Sequence, residues 1–348
     1  MAVKRAYYGQ ERDRDYFERV FQSANINFLI GSGASLPAIS VLGNIEEELQ
    51  CYIRDENENA YFSKSRSFLN TVWLANNILL NRSYSGIPYP PGSVEAVEKT
   101  KENYKYFLSS IEKILTRRKT GLLPRRVNLF TTNYDLFIED AATRNHNLVL
   151  NDGFSRRVNL YNHMVFDAKS FYRSIHATGN LYNYSVELPT VNLIKLHGSL
   201  SWRKQGDEVT YWIKDMMPLA FENFQQEQEW VNSHALILPR KEKFKETLLE
   251  NIYYDLLRTY SNELDKEGSL IIVFGFSFAD EHIELLTKKA LRNVTLKVLI
   301  FAYNEDAVDL FMEKFKDYSN VEIIYRPGST LEFSNLNIII TNFLRDNA

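Results

Sequence analysis

Four polar segments, each directly after an apolar run, contain the side chains best suited to chemistry. They provide an amide in Asn133, carboxylates in Asp135 and Asp280, an imidazole in His197, and several hydroxyl groups. An imidazole changes its charge near neutral pH, so it can act as a general base without help from a metal. The four segments are Gly31–Ser35, Thr131–Asp135, His197–Ser199 and Gly275–Asp280.

Two of these segments contain glycines and predict a phosphate-bearing ligand. Gly31 and Gly33 follow the apolar run 26–30, and Gly275 follows the run 269–274. Small residues let a backbone approach a phosphate, and the positive N-terminus of the next helix favours its charge. The repeated pattern of strand, small turn and helix predicts a nucleotide-sized ligand at the carboxyl edge of a parallel sheet.

Two other classes of site lack their motifs in this sequence. No Gly-Lys-Ser/Thr is present, which argues against a P-loop ATPase. Gly-x-Ser-x-Gly is also absent, which argues against a serine-hydrolase elbow. The Gly31-x-Gly33 pair lacks the third glycine of a dehydrogenase fingerprint and has Leu36 in its place.

The elements that must position these residues alternate regularly from residue 235 onward, as in a doubly wound sheet. The predicted fold class is α/β, with a Rossmann-like parallel sheet, a helical insertion or small lobe over 44–120, an irregular insertion over 150–190, and a β-hairpin from Leu200 to Ile213. Strands are predicted over 26–30, 127–131, 148–150, 191–196, 235–238, 269–274, 296–302 and 321–325. Helices are predicted over 11–23, 44–60 (capped by Asn44), 64–81, 94–118, 136–144, 244–265, 280–291, 305–317 and 331–345.

Composition narrows the class of protein further. The chain has 348 residues, 45% of them hydrophobic, and a net charge of −3, which argues against direct nucleic-acid binding. The single cysteine, Cys51, excludes a cysteine-rich zinc site and an internal disulfide. No apolar run approaches the length of a membrane span, and the first ten residues lack the apolar core of a secretory leader. We therefore expect a cytoplasmic protein without a membrane partner.

Five short motifs in a fixed order carry a resemblance to a known family. The set resembles the sirtuin family, and more closely the divergent sirtuin-like proteins of bacterial anti-phage systems that lack the zinc module. The resemblance covers residues 25–35, 127–140, 192–202 and 269–306. The motifs are Gly31-Ser-Gly-Ala-Ser35, Thr132-Asn-Tyr-Asp135, Leu196-His-Gly-Ser199, Gly275-Phe-Ser277 and Tyr303-Asn-Glu305.

The resemblance implies that NAD is the substrate and that its nicotinamide–ribose bond is broken. Asn133 then holds the nicotinamide ribose or a water beneath it, and His197 is the general base. Asp135 binds the carboxamide or orders its loop. The turn Gly31–Ser35 holds the pyrophosphate through backbone N–H groups. The residues expected to bind NAD are Gly31, Ser32, Gly33, Ala34, Ser35, Thr132, Asp135, Gly275, Ser277 (near the phosphates), Asp280 and Asn304 (at the adenosine ribose).

The sequence departs from ordinary sirtuins after the histidine. The four-cysteine zinc module is missing, and the Leu200–Ile213 hairpin with Trp202 follows instead. The resemblance therefore implies hydrolysis of NAD to nicotinamide and ADP-ribose without zinc, as an anti-phage effector. It also implies a homo-oligomer and a partner protein such as a HerA-type ATPase. A non-catalytic NAD or ADP-ribose sensor, and an NAD-dependent protein deacylase, remain alternatives.

Structural roles remain open for the same residues. His197 could be a packed histidine at a strand end, with no catalytic role. Asn133 and Asp280 each precede a predicted helix, where Asn and Asp are favoured as caps. A cap and a contact with the ligand are compatible roles for one side chain.

Overall fold

The computed structural model describes residues 1–40, 45–82, 89–118, 123–154, 158–160, 163–179, 185–206, 208–213, 221–238 and 251–342. The strands of these ranges are β1 (Val3–Ala6), β2 (Asn25–Ile30), β3 (Arg126–Thr131), β4 (Val149–Asn151), β5 (His176–Thr178), β6 (Ser185–Glu187), β7 (Thr190–Lys195), β8 (Gly198–Gln205), β9 (Glu208–Tyr211), β10 (His234–Leu236), β11 (Ser269–Phe274), β12 (Lys297–Phe301) and β13 (Val321–Tyr325). The α-helices are α1 (Glu11–Gln22), α2 (Ile45–Arg54), α3 (Glu58–Leu79), α4 (Ser93–Arg117), α5 (Phe137–Thr143), α6 (Phe224–Ser233), α7 (Asn251–Leu264), α8 (Glu281–Ala290), α9 (Glu305–Phe315) and α10 (Phe333–Asn342).

Eight strands form one parallel sheet in the order β1-β13-β12-β11-β2-β3-β7-β4. Helices cover both faces: α1, α4, α5 and α10 pack on one, and α7, α8 and α9 on the other. The predicted α/β class with a Rossmann-like, doubly wound sheet is therefore confirmed. Because the central strands are buried on both faces, they appear in the sequence as mostly apolar runs.

The sheet has a switch point between β2 and β11, which are neighbours. From β2 the chain continues to β3 on one side, whereas from β11 it continues to β12 on the other. Open parallel sheets bind ligands in the crevice at such a point, beyond the carboxyl ends of the strands. The fold thus brings the turns that follow β2 and β11 to the position where a ligand is expected.

A ladder of four asparagine side chains crosses the sheet from β2 to β4. Asn128 Nδ2 donates to Asn27 Oδ1 at 2.8 Å, Asn192 Nδ2 to Asn128 Oδ1 at 2.9 Å, and Asn151 Nδ2 to Asn192 Oδ1 at 2.9 Å. The last member also donates to the Ser170 carbonyl at 3.0 Å, in a 3-10 turn over 168–172. The ladder therefore fastens part of the predicted irregular insertion to the sheet.

The segment between β2 and β3 is helical, as predicted, but its first break was misplaced. Helices predicted over 44–60 and 64–81 are α2 and α3, and they are separated at residues 55–57. Glu56 has a φ of 52°, and the Asn57 side chain caps α3 by accepting from Ala60 N at 3.1 Å. The predicted cap Asn44 lies outside the described residues.

The predicted helices 244–265 and 331–345 are described as α7 and α10, and residues 239–250 and 343–348 lie outside the described ranges. In the segment between β2 and β3, α4 packs on the large sheet, with Phe107 in edge contact with Phe28 at 5.0 Å between ring centroids. Grouping 44–120 as one insertion remains a prediction.

The predicted hairpin after His197 is present as β8 and β9, which pair antiparallel. The strand predicted over 235–238 is β10. It was expected to join the regular alternation of the large sheet, but it pairs antiparallel with β8 instead, so the hairpin is part of a three-stranded sheet. The preceding helix α6 was missed, as was the short edge strand β1. Both lack a long apolar run that would identify them.

A buried histidine fastens this small sheet to the helices around it. Trp73 Nε1 of α3 donates to His234 Nε2 at 3.3 Å, and His234 Nδ1 lies 2.8 Å from the Trp230 carbonyl of α6. Burial, reinforced by the positive charge of Arg203, lowers the pKa of His234 to about 3. His234 is therefore neutral in the folded protein at physiological pH.

We expect His234 to make the protein sensitive to acid. Its folded-state pKa is depressed, so its contribution is present above the unfolded pKa of about 6.5 and is lost as the pH falls towards 3. The free energy of unfolding should fall by about 2 kcal/mol between pH 7 and pH 5 on this account. His234→Gln retains an acceptor for Trp73. Denaturant titrations of this variant at pH 7 and pH 5 should show a fall in the free energy of unfolding that is smaller by about 2 kcal/mol. The same loss in both proteins would contradict this expectation, and His176→Gln, on an exposed strand, is the control.

None of the helices in the described part of the chain is long and apolar enough to cross a membrane.

Candidate active site

The turns after β2 and β11 are in direct contact with each other. Gly31 N donates to the Phe274 carbonyl at 3.0 Å, and Gly33 N donates to the Gly275 carbonyl at 2.9 Å. A Cβ on Gly31 would lie 2.4 Å from the Gly275 carbonyl oxygen, and one on Gly275 would lie 2.5 Å from Ala34 N. The glycines are thus required for contact between the two turns, a reason that the sequence did not reveal.

The same contacts occupy backbone N–H groups that were predicted to bind a pyrophosphate. The N–H groups of Gly31 and Gly33 already have carbonyl partners, and Ala34 N donates to the Gly31 carbonyl at 3.1 Å. Ser32 and Ser35 both line the cavity beside this turn. A phosphate at this turn would therefore depend on these two serines more than on the three preoccupied N–H groups.

One cavity of about 720 Å³ lies at the switch point. This volume is within the range of about 300–1,000 Å³ that is usual for small-molecule and cofactor sites. It brings both predicted catalytic residues together with most of the predicted NAD-binding residues. The predicted residues that line it are Ser32, Gly33, Ser35, Thr132, Asn133, Asp135, His197, Gly275, Ser277 and Asp280.

Three residues that were predicted to bind NAD are not among those that line the cavity. Gly31 and Ala34 belong to the contact between the two turns, as described above. Asn304 caps α9, because its side chain accepts from Ala307 N at 3.0 Å. Its neighbour Tyr303 lines the cavity, and the predicted contact of Asn304 with an adenosine ribose remains a prediction.

A buried hydrogen-bond network holds Asn133. Its Nδ2 donates to the Gly31 carbonyl and to Ser35 Oγ, both at 3.0 Å. Ser35 Oγ in turn donates to Asp135 Oδ2 at 2.6 Å and lies 3.2 Å from the Tyr104 hydroxyl. Among the described residues none bonds to Asn133 Oδ1, so this acceptor is left for a ligand.

Asp135 of this network belongs to a buried cluster of charged residues that the sequence motifs did not indicate. Lys195 is 2% exposed, and its Nζ lies 2.8 Å from Glu139 Oε1 and 3.0 Å from Ser199 Oγ. It also donates to the Asp135 carbonyl. Burial raises the pKa of Asp135 and of Glu139, while the positive charge of Lys195 acts in the opposite direction. A lysine within the apolar run 191–196 was the available signal.

His197 faces a carboxylate. Its Nε2 lies 2.9 Å from Asp280 Oδ2, and both side chains are buried. Asp280 Oδ1 caps α8 by accepting from His282 N at 3.0 Å and from Ile283 N at 3.3 Å. The ring of Tyr134 is tilted beside His197, with centroids 6.5 Å apart. The cap on this helix agrees with the structural role considered for Asp280, and the imidazole beside it was not foreseen.

The helices between β2 and β3 supply cavity residues that lie outside the family resemblance. Phe68 and Val72 come from α3, and Lys99 and Asn103 come from successive turns of α4. Lys99 Nζ lies 4.0 Å from Glu332, which also lines the cavity. No motif identified these residues, because their positions depend on how the helices pack.

A model of the family described as SIR2-like domain matches residues 127–324, more than half of the chain. The chain belongs to the SIR2-like family. No curated protein matches it. One solved structure, described as "Structural Basis for the Mechanism and Regulation of Sir2 Enzymes", is 11% identical over 96% of both chains, with a TM-score of 0.41. That likeness to the SIR2-like chain is distant.

Zinc is a separate question in a SIR2-like protein. Within the described ranges, no three His, Cys, Asp or Glu side chains lie close enough together to hold a metal ion. The position after His197 is occupied by the three-stranded sheet of β8, β9 and β10. That the protein works without zinc remains a prediction.

Proposed function

We propose that this SIR2-like protein hydrolyses NAD to nicotinamide and ADP-ribose. The observation that carries the proposal is the shared cavity. It is lined by Asn133 and His197 and also by the turns after β2 and β11, at the switch point where parallel sheets bind nucleotides.

The proposed chemistry needs an oriented water and a base. Breaking the bond between nicotinamide and C1′ of the ribose leaves a positive, oxocarbenium-like centre. Water attacks that carbon, and His197 accepts the proton that the water loses. The fixed amide of Asn133 presents Oδ1 to the ribose or to the water. The pair of electrons in the broken bond leaves with nicotinamide, so one water is consumed for each NAD.

Aromatic side chains form the cavity wall beside His197. Phe68 of α3 packs edge-on against Tyr134 at 5.7 Å between ring centroids, and Tyr134 lies beside His197. Both aromatic residues line the cavity. Hydrolysis needs only water beside these side chains, whereas a deacylase would have to admit an acyl-lysine chain to the same carbon.

The test is chromatography of NAD after incubation with the purified protein. We expect nicotinamide and ADP-ribose in equal amounts. Formation of acetyl-ADP-ribose when an acetylated peptide is added would indicate deacylation instead. Tight NAD binding by calorimetry, with no product, would indicate a sensor. Either result would replace the hydrolase assignment.

We also propose that the activity serves as an anti-phage effector in the cytoplasm. The support is the resemblance of the five motifs to the divergent sirtuin-like proteins of such systems. The same resemblance favours a homo-oligomer that works with a partner such as a HerA-type ATPase. Light scattering and NAD assays, with and without the product of the neighbouring gene, test this. A monomer whose turnover is unchanged by that product would contradict it.

A further inference from the structure

We propose that Asp280 is the positioning residue of His197: its carboxylate orients the imidazole and stabilises the protonated ring. The catalytic part of this proposal depends on the proposed NAD hydrolysis, whereas the interaction itself does not. From the sequence, Asp280 is expected to bind NAD and to cap a helix. The geometry points to a different use for the second carboxylate oxygen.

The two oxygens of Asp280 have separate tasks. Oδ1 accepts from two backbone N–H groups at the start of α8, which fixes the plane of the carboxylate. Oδ2 then lies 2.9 Å from His197 Nε2. The two residues are 83 positions apart in the sequence numbering, so only the fold brings them together.

The loop that leads to Asp280 is itself held in place. Phe278 is buried, and its φ of 55° is in the left-handed region, which non-glycine residues rarely adopt. Its carbonyl accepts from Lys314 Nζ at 2.9 Å, and Lys314 also pairs with Glu284 of α8. A strained residue held by surrounding contacts is typical of functional sites. Here those contacts fix the carboxylate relative to the imidazole.

The chemical consequence follows from charge. When His197 takes a proton from the attacking water, a positive ring forms in a buried place. A fixed negative charge in contact with that ring lowers the free energy of the protonated form. Asp280 stabilises the ring through its negative charge, 2.9 Å from Nε2, without taking the proton, so it acts through His197.

Several other titratable groups of the described residues lie near His197. Tyr134 and Asp135 enter the cavity from the turn after β3, and Asp135 is bonded to Ser35. Lys195, two residues earlier on β7, is paired with Glu139. His282 follows Asp280 in the first turn of α8. The contact of 2.9 Å is the one that a substitution of Asp280 removes.

The test compares Asp280→Asn with the unmodified protein. Asparagine retains the oxygen that caps α8, so the melting temperature should change little. We expect kcat for nicotinamide release to fall about tenfold or more, with KM for NAD within about threefold. The acidic limb of the pH–rate profile should move to lower pH, because the protonated imidazole loses its counter-charge.

Two further measurements separate positioning from other roles. In the His197→Ala background, Asp280→Asn should cause no further loss of rate, because Asp280 acts through His197. Independently of turnover, NMR of imidazole-labelled protein should show the titration midpoint of His197 lower by about one pH unit or more in Asp280→Asn.

Several results would overturn the proposal. An unchanged NMR midpoint would exclude the interaction in solution. A raised KM with an unchanged kcat would assign Asp280 to NAD binding. If the unmodified protein released no nicotinamide, the proposed hydrolysis would fail, and the NMR titration would still decide whether Asp280 controls His197.

Discussion

His197→Ala is expected to lower the rate of nicotinamide release from NAD by about 10²–10⁴-fold, the usual contribution of a general base. The residue lines the cavity with Asn133, and its Nε2 lies 2.9 Å from Asp280 Oδ2. Removing the ring leaves the attacking water without a proton acceptor. NAD binding measured by calorimetry should change little, because the loss concerns the reaction step.

Asn133→Ala should cause a comparable loss of rate for a second reason. Its amide donates to the Gly31 carbonyl and to Ser35 Oγ, so alanine removes the fixed acceptor and also disturbs the turn after β2. His176→Ala, on the exposed strand β5, is the matched control and should retain full activity. Normal turnover by both cavity variants would remove the proposed function.

Gly275→Ala is expected to lower the free energy of unfolding by about 2–5 kcal/mol. Two costs add: overpacking costs about 1–3 kcal/mol and a left-handed backbone about 1–2 kcal/mol for a residue with a Cβ. The φ of Gly275 is +65°, and its added Cβ would lie 2.5 Å from Ala34 N. The two turns would have to separate, so activity should fall along with stability. Denaturant titration measures the change.

Gly328→Ala separates these two costs. Its φ is +66°, almost the same as that of Gly275, but nothing lies within 4 Å of an added Cβ. This variant should lose only the backbone cost of about 1–2 kcal/mol and retain its activity. Equal losses in the two variants would show that crowding between the turns adds no cost in Gly275→Ala.

Much of the large sheet could be predicted because its strands are buried on both faces. The runs 26–30, 127–131 and 269–274 are mostly apolar segments, and each corresponds to a strand of the structure. The strand β1, with the sequence Val-Lys-Arg-Ala, lies at the sheet edge and carries no such signal. The partner of β10 could not be predicted either, since antiparallel pairing with β8 depends on tertiary packing.

The sequence could predict which strand ends form the site, but it could not predict which side chains contact each other there. Parallel strands bring their carboxyl ends to one edge, so Asn133 and His197 could be expected in one cavity. The pairing of His197 with Asp280, and the burial of Lys195 against Glu139, depend on distances that no motif encodes. Equally hidden was the mutual contact of the glycine turns, because it requires knowing that β2 and β11 are neighbours.

The asparagine ladder has a consequence for how the site is assembled. Strands that are apolar on both sides have no inside–outside alternation to stop one from sliding along another. A slip of β3 by two residues would leave the amide of Asn128 in hydrocarbon, at a cost of about 1–3 kcal/mol for each unmet group. In the native register of the strands, each amide of the asparagine ladder has its hydrogen-bond partner. The ladder therefore also fixes the relative heights at which β2, β3 and β7 end, and so the depth at which Ser35, Asn133 and His197 meet.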